Sequence, residues 1–305
     1  MKVLILGITS AVGYRFFKLH NNDFEVFGVC RRWPYNNKNN IFEHSIININ
    51  HVHKAIIDVK PDIIINCISV GDVDKCEQNK ELNDQINDNL IRELVILCNK
   101  KSIYCVFFSS SFIYDGINAP YDEQSLANPL NRYGHTKLKM DQYIIKYSKK
   151  YLLLRPTTIF GVKEYYQRHN PASFILSNLI SNKPIYLVDD VISNLLYLDD
   201  LIKILFQLLN KKITGEFNIG GCQEISRYSF GQKIKGLLSD VITEITPCKS
   251  TRFSSIATRP LITTLQNKKI LSVINYNFTN IDKALSDIIV ETLMDTNKCA
   301  EFLAK

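Results

Sequence analysis

Short apolar runs alternating with helix-length amphipathic segments constrain this chain more than any other feature. Runs at Lys2–Ile8, Glu25–Cys30, Ser45–Ile49, Asp62–Ile68 and Ile103–Ser109 are rich in Val, Ile and Phe and lack polar alternation, as strands buried on both faces do. Between them lie helical patterns, clearest over Leu82–Lys100, where Leu82, Ile86, Leu90, Ile91, Leu94, Val95 and Cys98 recur on one face. A sixth strand, Tyr151–Arg155, follows a helix over Tyr133–Ser148 and stops at Pro156. This alternation predicts an α/β fold built on a doubly wound parallel sheet. After Gly161 the pattern loosens. Helices are expected at Pro171–Ser181, Asp199–Leu209, Ser226–Leu238 and Asn280–Leu293, with short strands at Pro184–Val188, Glu216–Ile219 and Ile242–Ile245. The expected organisation is a first domain over residues 1–160 and a smaller α/β cap over 161–305, some of whose segments rejoin the sheet.

Composition removes several function classes. A chain of 305 residues with 46% hydrophobic and 22% charged residues has an ordinary globular balance. Its net charge of +7 is spread over doublets such as Lys100-Lys101, Lys149-Lys150 and Lys211-Lys212, which read as solvated helix caps rather than a nucleic-acid surface. No apolar run reaches the roughly 18 residues of a spanning helix, so no membrane partner is expected. Met1–Leu6 stops at Gly7, too short for a secretory segment. The eight cysteines form no C-x-x-C pair, which argues against zinc; free thiols fit a reducing, cytoplasmic setting. His51 and His53 make a two-point metal pair with no third ligand and read as a surface helix start, so no metal is expected. The sequon at Asn277 and the Asn-rich patch Asn36–Asn40 are assigned no function.

Three motifs carry chemistry. Gly7-Ile8-Thr9-Ser10-Ala11-Val12-Gly13 follows the first strand and opens a helix; glycines there let the backbone turn tightly under a pyrophosphate lying on the helix N-terminus. Ser10 stands where a middle glycine is usual and is expected to offer its N–H and hydroxyl to a phosphate. Arg31 and Arg32 end the second strand, where an acidic residue would hold the 2′-hydroxyl of NAD and arginines suit a 2′-phosphate; the other reading is a basic turn before Trp33-Pro34. Third, Tyr133-Gly134-His135-Thr136-Lys137 is a Y-x-x-x-K that puts phenol and ammonium on one helix face. The cation is expected to lower the phenol pKa from about 10. Ser109-Ser110-Ser111 closes a buried strand at the end where α/β sheets place ligands, so Ser110 is positioned to hydrogen-bond a substrate oxygen.

These segments, with Pro61–Cys67, Val73-Asp74-Lys75-Cys76-Glu77, Ser109–Gly116, Pro129–Leu138, Leu154-Arg155-Pro156, Tyr197–Leu201, Gly215–Asn218 and Arg259-Pro260, resemble an extended short-chain dehydrogenase/reductase, and within it the dTDP-4-dehydrorhamnose reductase family. The resemblance implies a Rossmann-type NADP-binding domain and reduction by NADPH, with NADH also admissible, of the 4-keto group of a nucleotide-linked 4-keto-6-deoxy sugar, dTDP-4-dehydrorhamnose first. Other 4-keto-sugar reductases or epimerase-reductases remain open. So does a non-catalytic NADP-binding subunit like that of methionine adenosyltransferase. A homodimer is also allowed.

Residue by residue, the resemblance implies Tyr133 as proton donor, Lys137 holding the nicotinamide ribose, and Ser110 in the place of the usual Ser or Thr. It implies cofactor contacts from Gly7, Ala11, Val12, Gly13, Arg31, Cys67, Ile68 and Ser69, and Asn87 on the helix facing the site. Asn48 stands where an Asp commonly contacts adenine, and Ser111 where the family pattern has Asp on the substrate side. Arg252 and Arg259 are candidates to clamp a sugar diphosphate or to form salt bridges fixing the cap. Tyr165 and Tyr166 are candidates to stack on sugar or base. Asp199-Asp200 are expected to cap a helix rather than act as acids.

Overall fold

The computed structural model describes residues 1–44, 49–238 and 241–294. In chain order the first half contains β1 (Lys2–Leu6), α1 (Ala11–His20), β2 (Glu25–Cys30), β3 (Ile41–Glu43), α2 (Ile49–Val59) and β4 (Ile63–Asn66). It continues with α3 (Val73–Gln78), α4 (Lys80–Asp84), a π-helical turn over Gln85–Asn89, α5 (Leu90–Lys101), β5 (Tyr104–Phe108), α6 (Arg132–Tyr147) and β6 (Tyr151–Pro156). The second half has β7 (Ile159–Phe160), α7 (Pro171–Ile180), β8 (Ile185–Val188), β9 (Ile192–Ser193), β10 (Leu196–Tyr197), α8 (Leu198–Asn210) and β11 (Gly215–Ile219). Then come β12 (Ile225–Ser226), α9 (Arg227–Gly236), β13 (Ile245–Cys248), α10 (Lys268–Val273) and α11 (Ile281–Met294).

Seven of these strands form one parallel sheet in the order β11-β6-β5-β4-β1-β2-β3. The central strands are buried on both faces, which is why they read as continuous apolar runs. One face carries α1 and α8, through Phe16, Leu201, Leu205 and Leu208. The other carries α2, α5 and α6, through Val52, Ile56, Leu94, Met140 and Ile144. Strand order reverses between β1 and β4, and an open α/β sheet binds its ligands at the crevice beyond the carboxyl ends of such a pair.

The third strand departs from the expected Ser45–Ile49. Pairing with β2 falls on Ile41–Glu43, Ile49 begins a helix, and 45–48 lie outside the described residues, Asn48 among them. Past residue 161, the expected strand at Glu216–Ile219 runs in the main sheet beside β6. A further core cluster gathers Phe160, Leu176, Leu187, Phe230, Ile234 and Leu285. The strand expected near Ile242–Ile245 runs over Ile245–Cys248, paired with β8. Asp199 and Asp200 cap nothing: the cap position of α8 is Tyr197, without a side-chain bond. Asp199 instead accepts from Arg15 Nε and Nη2 at 2.6 and 2.7 Å. Asp200 accepts from Tyr276 Oη and from the Thr279 N–H and hydroxyl.

No described helix is long and apolar enough to cross a membrane, and no group of three His, Cys, Asp or Glu among the described residues could hold a metal. The seven described cysteines are unpaired.

Candidate active site

The β1–α1 turn is built by its glycines. Gly7 sits at φ +78°, and a Cβ on Gly13 would lie 2.8 Å from the Gly7 carbonyl oxygen, so the turn folds tightly beneath α1. Ser10 caps the helix: its Oγ accepts from Gly13 N–H at 3.0 Å, and its own N–H is spent on the Gly7 carbonyl. Ser10 lines the crevice with its amide already bonded within the turn. Ala11 and Val12 line the crevice at the helix N-terminus, where backbone N–H groups lack intrahelical partners and favour an anion.

That crevice, about 440 Å³, also takes in Cys67, Ile68, Ser69 and Gly71 from the end of β4, Ser109–Phe112 after β5, Tyr133 and Lys137 from α6, and Pro156–Ile159 after β6. Every element ends there because parallel strands deliver their carboxyl ends to one side. Burial pushes the Cys67 thiol up to about 12, so this crevice residue is a small apolar wall rather than a nucleophile.

Ser110 has an extended backbone and caps the short turn Ser111–Ile113, its Oγ accepting from Phe112 N–H at 3.2 Å. Ser111 is buried in the same wall. Helix α6 starts from the Asn131 cap, whose Oδ1 accepts from Gly134 N–H at 2.9 Å. A Cβ on Gly134 would collide with the Phe112 carbonyl oxygen. Glycine here lets α6 rest on the serine turn, which brings Tyr133 to the same crevice as Ser110.

The electrostatics correct one expectation. Burial raises the Tyr133 phenol to about 12, the Ser110 hydroxyl pulling the other way, and Lys137 does not figure among the causes. The Lys137 ammonium lies 5.6 Å from the Tyr133 ring centre and donates to the Phe108 carbonyl at 2.9 Å. Burial pushes it down to about 8 against the opposing pull of Asp141. In this pocket desolvation outweighs the cation's effect on the phenol.

Asp141, one turn beyond Lys137, accepts from Arg155 Nε at 2.7 Å, and both side chains are buried. Burial raises the Asp141 carboxyl, with Arg155 opposing. Sequence reasoning gave this pair no role. Its signals were the i, i+4 spacing from Lys137 and an arginine inside an otherwise apolar strand, which demands a buried partner.

The remaining candidates divide. Arg31 and Arg32 are exposed at the end of β2, next to the Gly7 turn, where Gly7 N–H bonds the Val29 carbonyl. Asn87 falls in the π-helical turn, and its amide is consumed by structure. It accepts from Ser69 Oγ and Val70 N–H and donates to the Val70 carbonyl and Asn83 Oδ1. Asn83 in turn donates to Thr136 Oγ1 on α6. This buried chain, of which the sequence analysis named only Asn87, ties α6 to the crevice loop. Arg259 donates to Asp74 Oδ2 at 2.9 Å and to the Ala257 carbonyl; Arg252 stacks 3.7 Å over Tyr186. Neither lines the crevice.

The model of the RmlD substrate binding domain matches residues 1–294. The chain belongs to that family. Among solved structures it is similar to the dTDP-4-dehydrorhamnose reductase of Bacillus anthracis in complex with NADP, with a TM-score of 0.84, 21% identity, and 95% of this chain and 99% of that one covered. A dTDP-4-dehydrorhamnose reductase of Clostridium acetobutylicum superposes with a TM-score of 0.81 at 22% identity, covering 96% and 100%. Among curated proteins it is 26% identical over 240 residues to methionine adenosyltransferase 2 subunit beta of Bos taurus, spanning 74% of this chain and 69% of that protein.

Proposed function

We propose that this RmlD-family chain is an NADPH-dependent reductase of the 4-keto group of a nucleotide-linked 4-keto-6-deoxy sugar, with dTDP-4-dehydrorhamnose the first candidate. The observation that carries this reading is the convergence of Ser110, Tyr133 and Lys137 on one crevice beside the glycine turn. The turn suits a dinucleotide: Gly13 is drawn against Gly7 and the Ala11 and Val12 amides sit at a helix N-terminus. NADP in the Bacillus anthracis relative and the exposed Arg31 and Arg32 favour NADPH over NADH.

A bound reduced nicotinamide supplies the hydride. The chain's own residues handle the oxygen. Ser110 and Tyr133 donate hydrogen bonds to the ketone, where negative charge develops. Tyr133 then gives its phenol proton to that oxygen, and with a pKa near 12 it remains a loaded donor at neutral pH. Lys137, in its charged form, steadies the resulting phenolate.

The test is a panel of dTDP-, UDP- and GDP-linked 4-keto-6-deoxy sugars with NADPH and NADH, the products identified by NMR. Oxidation of NADPH with one of them supports the reading; its place in the panel separates rhamnose formation from a sibling reductase or epimerase-reductase. A second reading, a non-catalytic NADP-binding subunit, is favoured by the similarity to the methionine adenosyltransferase subunit. Co-purification with a partner enzyme, and no turnover across the panel, would select it.

A further inference from the structure

The loop 161–170 projects from the cap and is pinched at its base, where Asn170 Nδ2 donates to the Gly161 carbonyl at 2.8 Å. Closed loops of this length are compact and frequently functional. Its middle reaches the first domain: Tyr165 Oη donates to the Pro34 carbonyl, and Tyr166 packs against Tyr14 and Tyr35. The next two residues separate. Gln167 Nε2 donates to the Thr9 carbonyl at 3.1 Å, and Arg168 Nη2 to Asp72 Oδ2 at 2.8 Å. Thr9 adjoins Ser10 and Asp72 adjoins Gly71, both of which line the crevice, one after β1 and the other after β4. Two consecutive side chains thus fasten the loop to both segments.

Resting on the dinucleotide reading above, we infer that residues 165–168 form a strap across the cofactor crevice, and that the cofactor leaves only when the Gln167–Thr9 and Arg168–Asp72 bonds open. The tyrosines are the pivot and the Gln167-Arg168 pair is the latch. The latch is weak by construction: the Arg168 and Asp72 side chains are 71% and 36% exposed, and exposed ion pairs are readily screened. Such a fastening slows exchange without preventing it.

Stopped-flow fluorescence of NADPH release from the full chain tests this. Arg168→Ala is expected to speed release about two- to fivefold, as suits an exposed pair, and the double change Gln167→Ala with Arg168→Ala more. Asp72→Asn keeps the side-chain oxygen that caps α3 and should accelerate release as much as Arg168→Ala, with no further gain when the two are combined. Added salt should hasten release from the parent chain more steeply than from the Asp72→Asn/Arg168→Ala protein, whose remaining salt dependence belongs to the anionic cofactor itself. Parent-like release from Gln167→Ala/Arg168→Ala, with an unchanged unfolding temperature, overturns the strap alone. Failure of the parent chain to bind NADPH overturns the cofactor reading and the strap with it.

Discussion

Arg155 Nε donates to Asp141 Oδ2 at 2.7 Å one helical turn from Lys137, with 7% and 1% of the two side chains exposed. A buried pair is worth little against an apolar replacement, but removing one partner strands the other charge. Asp141→Asn should therefore cost about 3–5 kcal/mol by urea denaturation. Replacing both, as Asp141→Leu with Arg155→Met, should recover most of that loss. If the single change is as stable as the parent chain, the pair does not hold the floor of the site.

Tyr133→Phe keeps the ring against Phe112 and deletes the hydroxyl proposed as proton donor. Turnover should fall by roughly 10²–10⁴-fold, with NADPH affinity within about twofold because the glycine turn is untouched. Steady-state kinetics and a fluorescence titration measure the two; undiminished turnover removes Tyr133 from the mechanism.

The pH profile should report Lys137. Its ammonium titrates near 8, while Tyr133 keeps its proton until about 12. The kcat/KM of reduction should be level through neutrality and decline above about pH 8, the limb belonging to the lysine. Asp141→Asn removes the anion that supports the ammonium and should move this limb to lower pH. Stability runs the other way. The unfolded chain holds this proton up to about 10.4, so the contribution of Lys137 to folding is poorest below pH 8 and improves between 8 and 10. Lys137→Met should abolish that rise in the apo protein. A rate that stays level to pH 10 would exclude the lysine as the titrating group.

Gly134→Ala adds one methyl group where the Phe112 carbonyl already stands. Overpacking of this kind costs about 1–3 kcal/mol, and the helix must lift away from Ser110. Turnover should drop at least about tenfold, since small misplacements of reacting groups are expensive. Thermal denaturation and kinetics together check it; a fall in stability alone would mean that the contact does not set the Ser110–Tyr133 spacing.

Much of the sheet was legible because strands buried on both faces must be continuously apolar: Val3–Leu6, Ile63–Ile65 and Leu152–Leu154 could go nowhere else. The third strand was not, since β3 is three half-buried residues with no apolar run to mark it. Gly7, Gly13 and the Tyr133–Lys137 spacing were readable because each geometry admits few residue types. The direction of the Tyr133 shift was not, because desolvation depends on what surrounds a side chain rather than on its helical neighbour. Asn83 carried no local signal and Asn87 was named through the resemblance alone; a buried amide looks like a surface one until its partners are in place. The fastenings at Thr9 and Asp72 come from loops far apart in the chain, which no periodicity connects.

The pairing of β11 with β6 bears on how this chain can be cut and recombined. A polypeptide ending near residue 161 would present Leu152–Leu154 along an unpaired border, a template for self-association. Chimaeras that exchange the later segments between relatives should leave α8 and β11 with the first half and swap only the pieces on either side.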